Sequence, residues 1–143
     1  MASIIKVETL QDTDGNNAVG MQFVSSGSAK FICNWNAATS TTTVNDSFNQ
    51  SSQTDHGTGD HTHNFTNNFA NGFYASSGNG YYQNSVADTA HAQWTLKDAS
   101  ATGLADYKLT SSMRGEIVYL NTGTNRNNYD YPGNWGTIHG DLA

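Results

Sequence analysis

Apolar and polar residues alternate with a period of two in short runs along this chain, and clusters of Gly, Asn and Asp punctuate them. That pattern predicts many short strands joined by turns, as in an all-β sandwich or barrel. Phe31, Cys33 and Trp35 fall on one face of a run over 29–35, while Lys30 and Asn34 fall on the other, which predicts a half-buried strand. Runs over 43–52 and 61–67 flank a segment whose Gly57 and Gly59 supply the positive φ that a hairpin connection needs. Further strands are predicted over 72–76, 91–97, 114–120 and 135–139, with loops at 76–80 and 121–134. Phe73 is expected in the core, and Trp94 and Leu96 share one strand face. The reading is an all-β, antiparallel β-sandwich head, jelly-roll-like, over 21–143, behind a short extended N-terminal segment over 1–20. Strand order stays open, because sandwich and barrel give similar alternation.

Composition narrows what such a domain does. Asn, Thr, Ser and Gly supply 62 of 143 residues, which favours turns and polar strands over helices. Six Lys and Arg against twelve Asp and Glu leave a net charge of -6, so the clustered cations that phosphate contacts require are missing and nucleic acid is not an expected partner. Cys33 is the single cysteine, which excludes an intrachain disulfide. No apolar run approaches the roughly 20 residues of a spanning helix, so membrane insertion is not expected. No Gly-x-Ser-x-Gly, His-Glu-x-x-His or phosphate-loop motif occurs, and the expectation is a protein that is not an enzyme.

Several segments carry a resemblance. Asp46-Ser-Phe-Asn49, Ser51-Ser52, Thr54-Asp-His-Gly-Thr-Gly-Asp60 and Asn64-Phe-Thr-Asn67 resemble a hairpin pattern of marine bacteriophage tail-fibre proteins. His56 stands where that pattern has Asn, and His61 and His63 stand where it has an aromatic and an aliphatic residue. Ser3-Ile-Ile-Lys-Val-Glu-Thr-Leu-Gln-Asp12 is similar to the virion-attaching start of such fibres, and Ala29-Lys-Phe-Ile-Cys-Asn-Trp35 to the strand before their hairpin. The resemblance implies a homotrimeric virion subunit of the tail, made in the host cytoplasm and mediating host attachment. Ile4, Ile5, Lys6, Val7 and Leu10 would then grip other phage tail proteins. The alternative is a capsid or tail decoration or cement subunit that touches only other virion proteins.

Two sets of side chains are candidate sites. Asn127, Asn128, Tyr129, Asp130, Tyr131 and Trp135 gather rings and amides near the C-terminus, a chemistry suited to stacking on a host surface glycan or contacting a host protein. The same rings would serve equally to close the sandwich or fill an interface between copies. His61 and His63 lie on one strand face together with Phe65. No cofactor is expected unless these imidazoles, tripled on a threefold axis, hold iron or another first-row metal, as the resemblance allows. The alternative is that both rings are packed as aromatic-like groups.

Overall fold

The computed structural model describes residues 6–11, 13–15, 18–38, 41–81, 92–97, 107–120 and 126–143. An N-terminal arm comes first: β1 (Thr9–Leu10) pairs with β2 (Val19–Gly20), and α1 (Met21–Gly27) follows and packs on β2. Nothing in the alternation pointed to this helix. It has no side-chain cap and no acid in its first turn. Neither arm strand joins the main sheet. The first strand of the main sheet starts at Phe31.

The head is one antiparallel sheet of nine strands. Its strands are β3 (Phe31–Asn36), β4 (Thr43–Phe48), β5 (Gln50–Gly57), β6 (Asp60–Phe65), β7 (Ala75–Tyr81), β8 (Ala92–Leu96), β9 (Ser112–Leu120), β10 (Arg126–Asn128) and β11 (Gly133–His139). They run in the order β4-β3-β11-β7-β8-β9-β6-β5, and β10 pairs with β9. The two ends of this path, β4 and β5, are consecutive in the chain, so the sheet curls into a nearly closed, barrel-like sandwich.

Asn49 makes that closure. It is the single non-glycine residue with positive φ among those described, at 61°. An Asn tolerates this left-handed conformation better than a branched residue would. Its Nδ2 donates to the carbonyls of Lys30 (2.9 Å) and Asn67 (3.1 Å), and its Oδ1 accepts from the Asn67 amide at 2.7 Å. The predicted strand over 43–52 is accordingly two strands, bent at Asn49: β4 pairs with β3, and only β5 enters the hairpin with β6. The hairpin turn runs through Thr58 and Gly59, where Gly59 has φ 66°.

The core lies inside the curl. Phe31, Cys33, Trp35, Phe65, Phe69, Tyr74, Trp94, Met113, Ile117, Tyr131 and Ile138 are buried there. Two loop expectations fail for identifiable reasons. Residues 76–80 form the middle of β7, with Gly78 and Gly80 turned inward where a Cβ would strike the backbone of β11 and the ring of Tyr131. Part of 121–134 is β10. Phe73 is 94% exposed rather than in the core, and its neighbour Tyr74 fills that place instead.

Candidate functional site

The aromatic segment near the C-terminus splits into buried and exposed parts. Tyr131 is a core residue, and its carbonyl accepts from Ala37 N (2.9 Å) and Asn134 Nδ2 (2.8 Å). Asp130 Oδ1 accepts from the Gly59 amide at 2.6 Å, which ties the loop to the hairpin turn. Asn128 Nδ2 donates to Glu116 at 2.9 Å. Tyr129 leans on Tyr131 with ring centroids 4.9 Å apart and stays partly exposed, and Asn127 is half-buried on β10. Asn128, Asp130 and Tyr131 thus have their polar groups and rings committed to the fold. Trp135 does not: it stands 45% exposed on the outer face of β11.

Register places a row of side chains around Trp135. Reading across the sheet, Asp46 (β4), Asn34 (β3), Trp135 (β11), Asn79 (β7) and Gln93 (β8) are successive cross-strand neighbours, and all are exposed. Opposed residues on antiparallel strands have Cβ atoms about 4.5–5.5 Å apart, so these side chains form one continuous line. Asn45 Nδ2 donates to Asn34 Oδ1 at 2.9 Å and orients that amide. Tyr81, 63% exposed, sits opposite Gly133, diagonal to Trp135 on the same face. Gly133 itself adds no side chain to this face, and the Tyr81 side chain lies alongside it. A second row, Phe48, Ile32, Thr137 and Ser77, borders the first, with Phe48 and Ile32 exposed.

Tyr81, Asn79, Asn34 and Gln93 were not singled out by the sequence. Sequence spacing does not bring residues 34, 79, 93 and 135 together; only register does. The usable signal was the alternation Ser77, Asn79, Tyr81 with Gly78 and Gly80 between, which marks one polar outward face.

His61 and His63 share a face with Phe65 as expected, and it is the inward face. The rings are 1% and 0% exposed, and His63 lies edge-on to Phe31, Trp35 and Trp94 with centroids 4.7–5.6 Å away. Burial holds the pKa of His63 down at about 3 and that of His61 below the usual imidazole value, so both are neutral. His63 Nδ1 meets Gln50 Oε1 at 3.3 Å, and His61 Nε2 meets Thr42 Oγ1 at 3.3 Å. Both imidazoles are enclosed in the core of their own chain. No cluster of three His, Cys, Asp or Glu suited to a metal exists among the described residues.

Four charged residues, Asp60, Lys97, Arg114 and Glu116, form a separate network on the outside of β6, β8 and β9. Asp60 accepts from Arg114 Nε (2.8 Å) and Lys97 Nζ (2.6 Å), and Lys97 also reaches Glu116 at 2.8 Å. Burial alone would raise the pKa of Asp60, but Arg114 and Lys97 hold it below the ordinary range. Such mutual neutralisation leaves no unpaired acid for general acid or base work there. Burial likewise pushes the Cys33 thiol up to about 12, which removes it as a nucleophile.

In the arm, Lys6, Val7 and Leu10 are exposed, while Ile4 and Ile5 lie outside the described residues. Val19, Phe23 and Val24 are exposed beside them. No helix among the described residues is long and apolar enough to cross a membrane. No family model, curated protein or solved structure matches this chain.

Proposed function

We propose that this protein is a structural subunit of a bacteriophage virion, a tail fibre or tail-tip component that attaches to the host without catalysis. The outer face of the head would meet the host, and the arm would hold the subunit to other tail proteins, three copies together. The observation that carries this reading is Trp135: a large indole left 45% exposed amid a line of amides, in a chain that buries its other two tryptophans. Exposed rings set among amides are the chemistry of recognition rather than of core packing. The resemblance of the hairpin and the N-terminal segment to tail fibres supports the virion setting.

Purified protein added before the phage should block adsorption to host cells in a concentration-dependent way. Unchanged adsorption at saturating protein would overturn the attachment role. The decoration or cement reading has one specific observation in its favour, the 94% exposed Phe73, which suits burial against another virion protein. Under that reading Phe73→Ser lowers incorporation into particles and leaves adsorption of assembled particles unchanged.

A further inference from the structure

The Trp135 face has a definite chemical character, and the ligand class follows from it. We infer that it binds a neutral glycan chain, with one sugar ring on Trp135 and a second on Tyr81; this deepens the attachment reading and rests on it. Three observations lead there.

The first is the geometry of the rings. Trp135 pairs with Asn79 and Tyr81 pairs with Gly133, so the two aromatic residues are diagonal neighbours on one face. Diagonal positions on antiparallel strands are roughly 7–8 Å apart, far enough for each ring to engage a different sugar of one oligosaccharide. Gly133, opposite Tyr81, adds no side chain to this face, and the Tyr81 side chain lies alongside it.

The second is what surrounds the rings. Asn34, Asn79 and Gln93 supply amides, each with both donors and acceptors, which suits hydroxyls that also do both. Asn34 is already oriented by Asn45, whereas Asn79 and Gln93 make no side-chain hydrogen bond to another described residue. An apolar partner protein would leave these amides unpaired on burial, at a cost that a hydroxylated ligand avoids.

The third is charge. None of the six Lys and Arg lies on β4, β3, β11, β7 or β8; the ionised group in the row is Asp46. An acidic polysaccharide would find one carboxylate and no cation there, in a chain of net charge -6. Like charges disfavour it, and a neutral chain meets no such barrier.

The test uses the full chain and tryptophan fluorescence, because Trp35 and Trp94 are buried and Trp135 is the indole that ligand and quencher can reach. The probes are neutral hexasaccharides of glucose, galactose, mannose and N-acetylglucosamine, set against hyaluronate and polygalacturonate. At least one neutral hexasaccharide should bind and shield Trp135 from acrylamide, and the acidic polymers should not. By titration calorimetry, which needs no indole reporter, Trp135→Ala should weaken that binding about tenfold or more, with Trp135→Phe restoring part of it, while Tyr81→Ala should cost a smaller factor. Melting temperatures of the variants should match the parent, since both side chains are exposed.

Failure of every neutral probe, preference for an acidic one, or binding indifferent to Trp135→Ala would each overturn the inference. So would self-association that Trp135→Ala abolishes in sedimentation, since it would give the face to a second copy. Adsorption competition separates the two levels. If the parent blocks adsorption and Trp135→Ala blocks it equally, the glycan inference falls while the attachment reading stands; if the parent fails to block, the attachment reading itself falls.

Discussion

His63 shows how a single residue ties this fold to pH. Its ring is fully enclosed by Phe31, Trp35 and Trp94, and its pKa is held at about 3. Released into the unfolded chain it would titrate near 6.5. Between those values the unfolded state binds more protons than the folded one, so stability falls as pH is lowered through this window and is unaffected by His63 above it. Within the window the loss amounts to about 1.4 kcal/mol per pH unit, and His61, shifted in the same direction by burial, adds to it. Asp60 works in a different range. Its lowered pKa stabilises the fold above the unfolded carboxylate value and is lost only as pH drops through that value and below. Denaturant midpoints compared at about pH 7.5 and pH 5 therefore isolate the histidines, since ordinary carboxylates remain ionised throughout. His63→Phe should keep the T-shaped contacts, forgo the Gln50 hydrogen bond, and shrink the loss of stability between those two conditions. An equal loss in parent and variant would mean that His63 is not a buried neutral ring.

At the level of strands, Gly78, Gly115 and Gly136 make space rather than turns. Trp94 on β8 lies across its neighbours: a Cβ at Gly136 would come 2.5 Å from its Cζ3, and one at Gly115 would come 2.3 Å from its Nε1. A Cβ at Gly78 would meet the Trp135 carbonyl at 2.2 Å and the Trp94 ring at 3.0 Å. Three strands, β11, β9 and β7, thus each give up a side chain so that one indole can lie flat. Gly136→Ala should cost about 1–3 kcal/mol by overpacking. In a Trp94→Leu background the same substitution should cost clearly less, because the ring it strikes is gone. Equal costs in the two backgrounds would refute the trough. This arrangement also explains which elements the alternation revealed. Strands whose inward residues are apolar, such as β3 with Phe31, Cys33 and Trp35, are legible, and so are β8 and β9. The strand β7 alternates Ser, Gly and Asn, and its glycines read as a loop because their partner ring lies elsewhere in the chain. The bend at Asn49 was hidden for a similar reason: nothing local announces that Lys30 and Asn67 receive its amide.

On the scale of the whole molecule, the site and the arm differ in how far they could be read. The Trp135 row draws on five strands from β3 to β11, so its members meet only after the sheet has curled, and of them Trp135 alone was nominated from its neighbours in sequence. The arm is local. Its strands pair with each other and not with the head. Its apolar residues Val7, Leu10, Val19 and Phe23 remain exposed. The head's own closure depends on none of them: Asn49 pins the two ends of the sheet, and the Lys30 amide already donates to Ile138 at the start of β3. Cutting the chain before residue 29 should therefore leave the barrel cooperatively folded, with the Lys30 side chain losing its contacts to Ser25 and Ser28 and little else. Thermal unfolding of the truncated head should stay within a few degrees of the parent, since loss of an exposed ion-dipole contact is worth well under ~1 kcal/mol. If the protein is the virion subunit proposed above, incorporation into particles should disappear at the same time, because the exposed apolar residues that would meet a neighbour have been removed. A truncated head that unfolds would show that the arm completes the core; one that folds and still enters particles would move the attachment surface onto the barrel, where Phe73 is the first residue to change.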